Sequence, residues 1–150
     1  MVTRAQITDV PIEPSALLDL VGDDQDGAVL LFLGVVRDHN DGRPVRGLRY
    51  EAYVEMATEV LRTIADEASA LLGTGRLAVV HRVGVLEVGE VSVGIAVSSP
   101  HRAEGFEASR YVIEEIKKRL PIWKEEEYAD GDRGWVAGVT PAPSPGEENR

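Results

Sequence analysis

Two stretches of this chain, 55–72 and 103–120, repeat apolar residues at helical spacing, and β-rich segments stand on either side of each. In the first, Val60, Ile64, Ala68 and Leu71 recur three or four residues apart, with Leu61 and Leu72 beside them and Gly73 to close the helix. In the second, Phe106, Val112, Ile113, Ile116 and Leu120 form the buried stripe. Pro121 ends it, because proline disfavours helix in the residue before it. A shorter helix is expected at 14–21, with Pro14 in its first turn and Gly22 after it. Residues 28–36 are nearly all apolar and read as a strand covered on both faces. Further strands are expected at 45–53, 76–84, 91–98, 122–128 and 134–138, and the turn chemistry of 38–44 reads as a loop.

From Val45 to Tyr128 the order is therefore strand-helix-strand-strand-helix-strand, which matches the split βαβ arrangement of ferredoxin-like folds. The fold class is α+β, with additional antiparallel strands around that core. The 150 residues suit one domain, placed at 1–140, and 141–150, with three prolines and no apolar stripe, reads as a disordered tail. Such folds host many unrelated activities, so function has to come from a site.

Composition removes several classes of site. Cysteine is absent, which excludes disulfides, thiolate zinc sites, cysteine nucleophiles and a persulfide carried on the chain itself. A net charge of −10 argues against general nucleic-acid binding. No apolar run approaches the ~20 residues that span a bilayer, and the N-terminus lacks a basic-then-apolar signal pattern, so a cytoplasmic protein is expected. No His-carboxylate cluster of metal spacing, phosphate-loop motif or serine elbow is present, and His81, inside an apolar strand, reads as a satisfied core histidine.

The cations are unevenly chosen. Thirteen of sixteen are arginine, and the three lysines, Lys117, Lys118 and Lys124, fall within eight residues. An ammonium can lose its proton when desolvated, whereas a guanidinium cannot, so lysine is kept here either for proton chemistry or as a solvated helix end. Lys117 and Lys124 are seven apart, but Pro121 interrupts the helix between them. If they converge, mutual repulsion pushes one toward the neutral form. Two further segments are suited to anions. Arg37 leaves the end of a buried strand into the polar loop Asp38-His39-Asn40, where it can grip a carboxylate or phosphate or make a loop salt bridge. His101 and Arg102 follow Ser98-Ser99-Pro100 at a strand-to-helix junction, where free N–H groups attract anions. Capping explains the serines but not a cation in the first turn. The acidic run Glu125-Glu126-Glu127 reads as a solvated strand.

Taken together and in this order, these segments resemble the large subunit of molybdopterin synthase over roughly 5–138. The matching motifs are Gly34-Val35-Val36-Arg37-Asp38-His39-Asn40, Val80-His81-Arg82-Val83-Gly84, Ser99-Pro100-His101-Arg102, Phe106-Glu107-Ala108 and Lys117-Lys118-Arg119-Leu120-Pro121-Ile122-Trp123-Lys124, followed by Gly131-Asp132-Arg133-Gly134-Trp135-Val136. The resemblance implies an α/β hammerhead fold and a homodimer within a heterotetramer. A small ubiquitin-like sulfur carrier would bind at each end, its C-terminal Gly-Gly tail bearing a thiocarboxylate. It further implies conversion of cyclic pyranopterin monophosphate to molybdopterin by transfer of two sulfurs, with no metal or cofactor. Carried over by position, Lys117 and Lys124 match the active-site lysines and Arg37 the pocket arginine. His101 and Arg102 match residues that help bind the pterin phosphate, across the dimer interface. Gly134 stands between Arg133 and Trp135 where many relatives have tryptophan directly after the arginine, and Ala137 and Gly138 offer no further arginine.

Two other readings compete. One is a phosphate-ester or acyl-phosphate hydrolase using Arg37 and Asn40, which leaves the lysines unexplained. The other is a non-catalytic module that binds an anionic metabolite at 101–102, which should tolerate arginine at 117 and 124.

Overall fold

The computed structural model describes residues 2–136, so the tail expected at 141–150 and the last two residues of the strand expected at 134–138 lie outside it. The element order is β1 (Val2–Thr8), α1 (Pro14–Leu18), β2 (Ala28–Val35), β3 (His39–Asn40), β4 (Arg43–Ala52), α2 (Val54–Ser69), β5 (Leu77–Arg82), β6 (Gly84–Glu87), β7 (Val91–Ser99), α3 (Arg102–Arg119), β8 (Ile122–Tyr128) and β9 (Arg133–Val136). The class is α+β, and every strand and helix expected from the sequence is present. Three strands, β1, β3 and β6, were not expected.

The strands divide between two sheets. One runs β1-β5-β7-β2, with β1 parallel to β5 and the remaining pairs antiparallel. Its two central strands read as continuous apolar runs because both faces are covered. Leu77, Val79, Ile95 and Val97 point to α2 and α3, while Ala78, Val80 and Ala96 point to Leu17 and Val21 around α1. The second sheet places β8 between β4 and β9, with β6 on the opposite edge of β4. The chain moves from the first sheet to the second at Gly84, whose φ of +100° only glycine adopts without strain. That step turns 84–87, expected as the end of one strand and a connection, into a separate strand.

Two local expectations change. The segment 38–44 is not an open loop but a hairpin, with Asp41 (φ 51°) and Gly42 (φ 75°) as its two-residue turn. Asp-Gly is the pairing such a turn prefers. Phe106, placed in the buried stripe of α3, is 61% exposed. The buried face carries Gly105, Ala108, Val112 and Ile116 instead. The helix lies so close to β2 that a Cβ on Gly105 would sit 2.8 Å from Leu30 Cδ1, which rotates the bulky neighbour outward. Among the described residues no helix is long and apolar enough to cross a membrane.

Candidate active site

Where α3 ends, the chain must satisfy its last carbonyls and reverse. Leu120 takes an extended conformation (ψ 122°) while its N–H still bonds Ile116 O at 3.0 Å, and Ile122 N–H bonds Leu120 O at 2.8 Å. Pro121, fully buried, fixes the corner, and β8 departs along β4. The seven-residue spacing of Lys117 and Lys124 is thus not one helical face. It is a helix end and the strand that folds back beside it.

Both lysines line one cavity of about 460 Å³ between the last turn of α3, the end of β2 and the inner face of the second sheet. Arg37 stands on the same wall, two residues beyond β2. Val36, between them, is anchored to the 87–90 turn by Val36 N–H to Glu90 O at 3.0 Å and Gly89 N–H to Val36 O at 2.8 Å. Three cations, from α3, β8 and the segment after β2, therefore line one cavity, and Ile113, Ile116, Leu120 and Ile122 supply apolar lining. Burial is the largest influence on Lys124 and pushes its pKa down. Glu126 opposes this, and the charges of Lys117 and Arg37 add to it. An amine so placed is a better base near neutral pH than a solvated lysine.

Glu126 is the residue that the solvated-strand reading of 125–127 missed. It is 4% exposed and accepts hydrogen bonds from Asn40 Nδ2 at 2.8 Å and Tyr128 Oη at 3.1 Å. Its neighbours obey the strand alternation: Glu125 faces Arg49 (3.1 Å) and Glu127 faces Arg133 (3.3 Å) on the outer side. Lys124 and Glu126, two apart, share the inner side. His81 is buried, as expected of a core histidine, but it also lines the cavity with Tyr50 and Ser92. Desolvation raises the Tyr50 pKa.

His101 and Arg102 are exposed and are not part of this cavity. They begin α3, whereas Lys117 ends it, and fifteen residues at 1.5 Å each separate them by about 22 Å. The serines before them do not cap the helix. Ser99 Oγ donates to His101 O at 2.6 Å, and Ser98 Oγ accepts from Gly22 N–H at 3.0 Å and Arg76 N–H at 3.2 Å. His101, at the N-cap, makes no side-chain capping bond. Arg133 also lies away from the cavity, although β9 reaches it through Val136. No group of three or more His, Asp or Glu is placed to hold a metal among the described residues.

The model of the MoaE protein family matches residues 7–119. This chain belongs to the MoaE family. Among its relatives, the molybdopterin synthase catalytic subunit of Synechococcus elongatus is 45% identical over 136 residues, covering 90% of this chain and 82% of the relative. That of a Nostoc species is 42% identical over 132 residues, covering 87% and 80%. Among solved structures, molybdopterin synthase from Staphylococcus aureus superposes with a TM-score of 0.83 at 37% identity, over 89% of this chain and 96% of that one. The MoaE match embraces the strand end at Arg37, the junction at 101–102 and α3 through Lys117, and stops five residues before Lys124. Lys124 is therefore tied to the site by geometry rather than by that match.

Proposed function

We propose that this chain is the catalytic subunit of a molybdopterin synthase and converts cyclic pyranopterin monophosphate to molybdopterin. Two sulfurs arrive as the C-terminal thiocarboxylate of a small ubiquitin-like carrier ending in Gly-Gly. The observation that carries the reading is the convergence of Arg37, Lys117 and Lys124 on one cavity, in a family whose relatives are named for this activity. A thiocarboxylate that gives up its sulfur must take an oxygen from water to leave as a carboxylate, so each transfer both consumes and releases protons. Lys124, with its depressed pKa, is suited to move them. Lys117, on the last turn of α3, is suited to hold the anionic thiocarboxylate, and Arg37 to pair with a substrate oxygen.

The pterin phosphate needs a further anion site, which we assign to His101 and Arg102 of a second copy of the chain. The separation of about 22 Å along α3 supports an intermolecular role, since the same chain's junction is too far from its own cavity. The assembly is a homodimer carrying one sulfur carrier at each end, and the cytoplasmic location expected from the sequence goes with this reading.

The test is a reconstituted assay with thiocarboxylated carrier and cyclic pyranopterin monophosphate, following dithiolene formation by mass spectrometry. Lys117→Ala and Lys124→Ala are each expected to lower the rate by at least ~100-fold, the usual worth of a positioned acid or base. Lys124→Arg should fail likewise, because a guanidinium keeps its proton. Full turnover by Lys124→Arg would remove Lys124 as the proton-transfer group, whereas a wild-type chain that binds the pterin without converting it would favour the anion-binding module.

A further inference from the structure

The polar groups on the cavity wall are unequal in kind. Arg37, Lys117 and Lys124 bring only donors while they are charged. Ser92 donates its hydroxyl proton to Gly34 O at 3.2 Å and, like Tyr50, keeps an oxygen that can accept. His81 adds an acceptor held in a fixed ring. Its Nδ1 lies 2.9 Å from the backbone carbonyl of Arg82, and because a carbonyl can only accept, Nδ1 carries the proton. Burial, the largest influence, lowers the pKa to about 4; the Arg82 carbonyl opposes this and the Lys117 charge adds to it, so the ring is neutral at pH 7. A neutral ring protonated at Nδ1 has a lone pair at Nε2.

That lone pair has no protein partner among the described residues, yet it is not among the buried polar atoms sealed away from solvent. His81 is 6% exposed and lines the cavity. Tyr50, also on the cavity wall, packs its ring edge-on to His81 at 5.1 Å and 85°. The result is a rigid acceptor, held by a backbone carbonyl and an aromatic edge, facing a space walled by cations. Water can meet such an atom in the open cavity, and a ligand that displaces that water must bring a donor of its own to replace the bond.

We propose that His81 is a substrate-binding residue of this site, its Nε2 accepting a hydrogen bond from an N–H of the pterin heterocycle. The inference rests on the synthase reading and deepens it. The cations recognise the anionic parts of the reactants, and His81 recognises the aminopyrimidinone edge, whose N–H groups none of the cations can satisfy. It would discriminate against heterocycles that present a lone pair at that point, because acceptor would then face acceptor.

Two substitutions separate this from a purely structural role. His81→Phe keeps the ring and loses both nitrogens, whereas His81→Gln also gives up the Nδ1 bond to Arg82 but returns an acceptor near the Nε2 position. Calorimetric titration with cyclic pyranopterin monophosphate is expected to give about tenfold weaker binding for His81→Phe, the loss of one hydrogen bond. His81→Gln should recover most of that loss, and carrier affinity should hold in both. Equal damage in the two variants, or unchanged binding with a lower kcat in His81→Phe, would overturn the proposal; the second result would mean that His81 acts on Lys117.

Should His81→Phe fail to fold, 15N NMR of the wild-type chain decides, since its three histidines are few enough to resolve. The His81 Nε2 resonance must move on addition of the pterin, and a stationary resonance in a saturated sample overturns the assignment. A wild-type chain that turns over while His81→Phe binds normally removes the His81 assignment alone. A wild-type chain that neither binds nor converts the pterin removes the synthase reading with it.

Discussion

Lys124 sits among groups that pull its proton affinity in opposite directions, and each direction is open to test. Burial favours the neutral amine, Glu126 favours the ammonium, and Lys117 and Arg37 again favour the amine. The chain has only three lysines, so side-chain NMR of isotopically labelled lysine can follow each one. Lys124 is expected to titrate below the ordinary lysine value of about 10.4. Glu126→Gln should lower it further, and Arg37→Ala or Lys117→Ala should raise it; a Lys124 that titrates normally and ignores all three would remove it as the base. The sign carries over to stability. A folded-state pKa below the unfolded one means that the unfolded chain binds more protons between the two values. The contribution of Lys124 to stability therefore rises with pH across that window. Part of this was legible in the sequence, because the scarcity of lysine pointed to 117 and 124 before any fold was known. Glu126 was not, although the alternation of an extended strand puts positions 124 and 126 on one face. Charge alone made 125–127 look solvated, and only the Asn40 and Tyr128 partners account for a buried carboxylate there.

The two long helices were legible, apart from the outward Phe106, because their apolar spacing repeats over four or five turns, and the strands that were missed failed for the opposite reason. β1 offers only Ala5 and Ile7 as apolar partners for the core once Val2 is passed, and β6 is four residues long. In such elements pairing to a neighbour, not internal pattern, decides the structure. The helices also need more than their stripes to place Lys117. The outer side of the α2–α3 pair is tied by Glu67, which accepts from Arg119 Nη1 at 2.7 Å, Arg119 Nη2 at 3.2 Å and Tyr111 Oη at 2.6 Å. Arg119 also donates to Glu115 at 3.0 Å, one turn back on its own helix. Hydrogen bonds from Arg119 first, then Tyr111, hold the Glu67 carboxyl at a pKa of about 2 against an ordinary 4.5. With the folded value depressed, the stabilisation is present above pH 4.5 and is lost as pH falls toward 2. Glu67→Gln should flatten that acid limb in urea unfolding followed from pH 6 to pH 3. The group is solvent-exposed, so the effect at pH 7 should be small, as for other surface pairs. An unchanged acid limb would mean that the three bonds do not persist in solution.

At the scale of the whole molecule, the cavity exists because the second sheet folds back over the end of the first. The strand-helix order from Val45 to Tyr128 was readable from the sequence, but the division of those strands between two sheets was not, since the chain passes from one sheet to the other at Gly84, whose φ of +100° no apolar pattern announces. The same geometry sets a limit that no rearrangement of a single chain removes. Arg102 opens α3 and Lys117 closes it, with about 22 Å of rigid helix between them. If both serve one substrate, the two must come from different chains, and this has a consequence for mixed assemblies. Arg102→Ala and Lys124→Ala homodimers should each be inactive. When the two variants are unfolded together and reassembled, half of the dimers at statistical mixing are mixed. A mixed dimer has one site that lacks both groups and one that is intact, the latter combining Lys124 from one chain with Arg102 from the other. Activity should therefore return to about a quarter of wild type, the share of sites left whole. If Arg102 acted within its own chain, every site in the mixture would lack one group or the other, and no activity would return. Recovery in the mixture, together with its absence when either variant is reassembled alone, is the result expected of a site built from two copies.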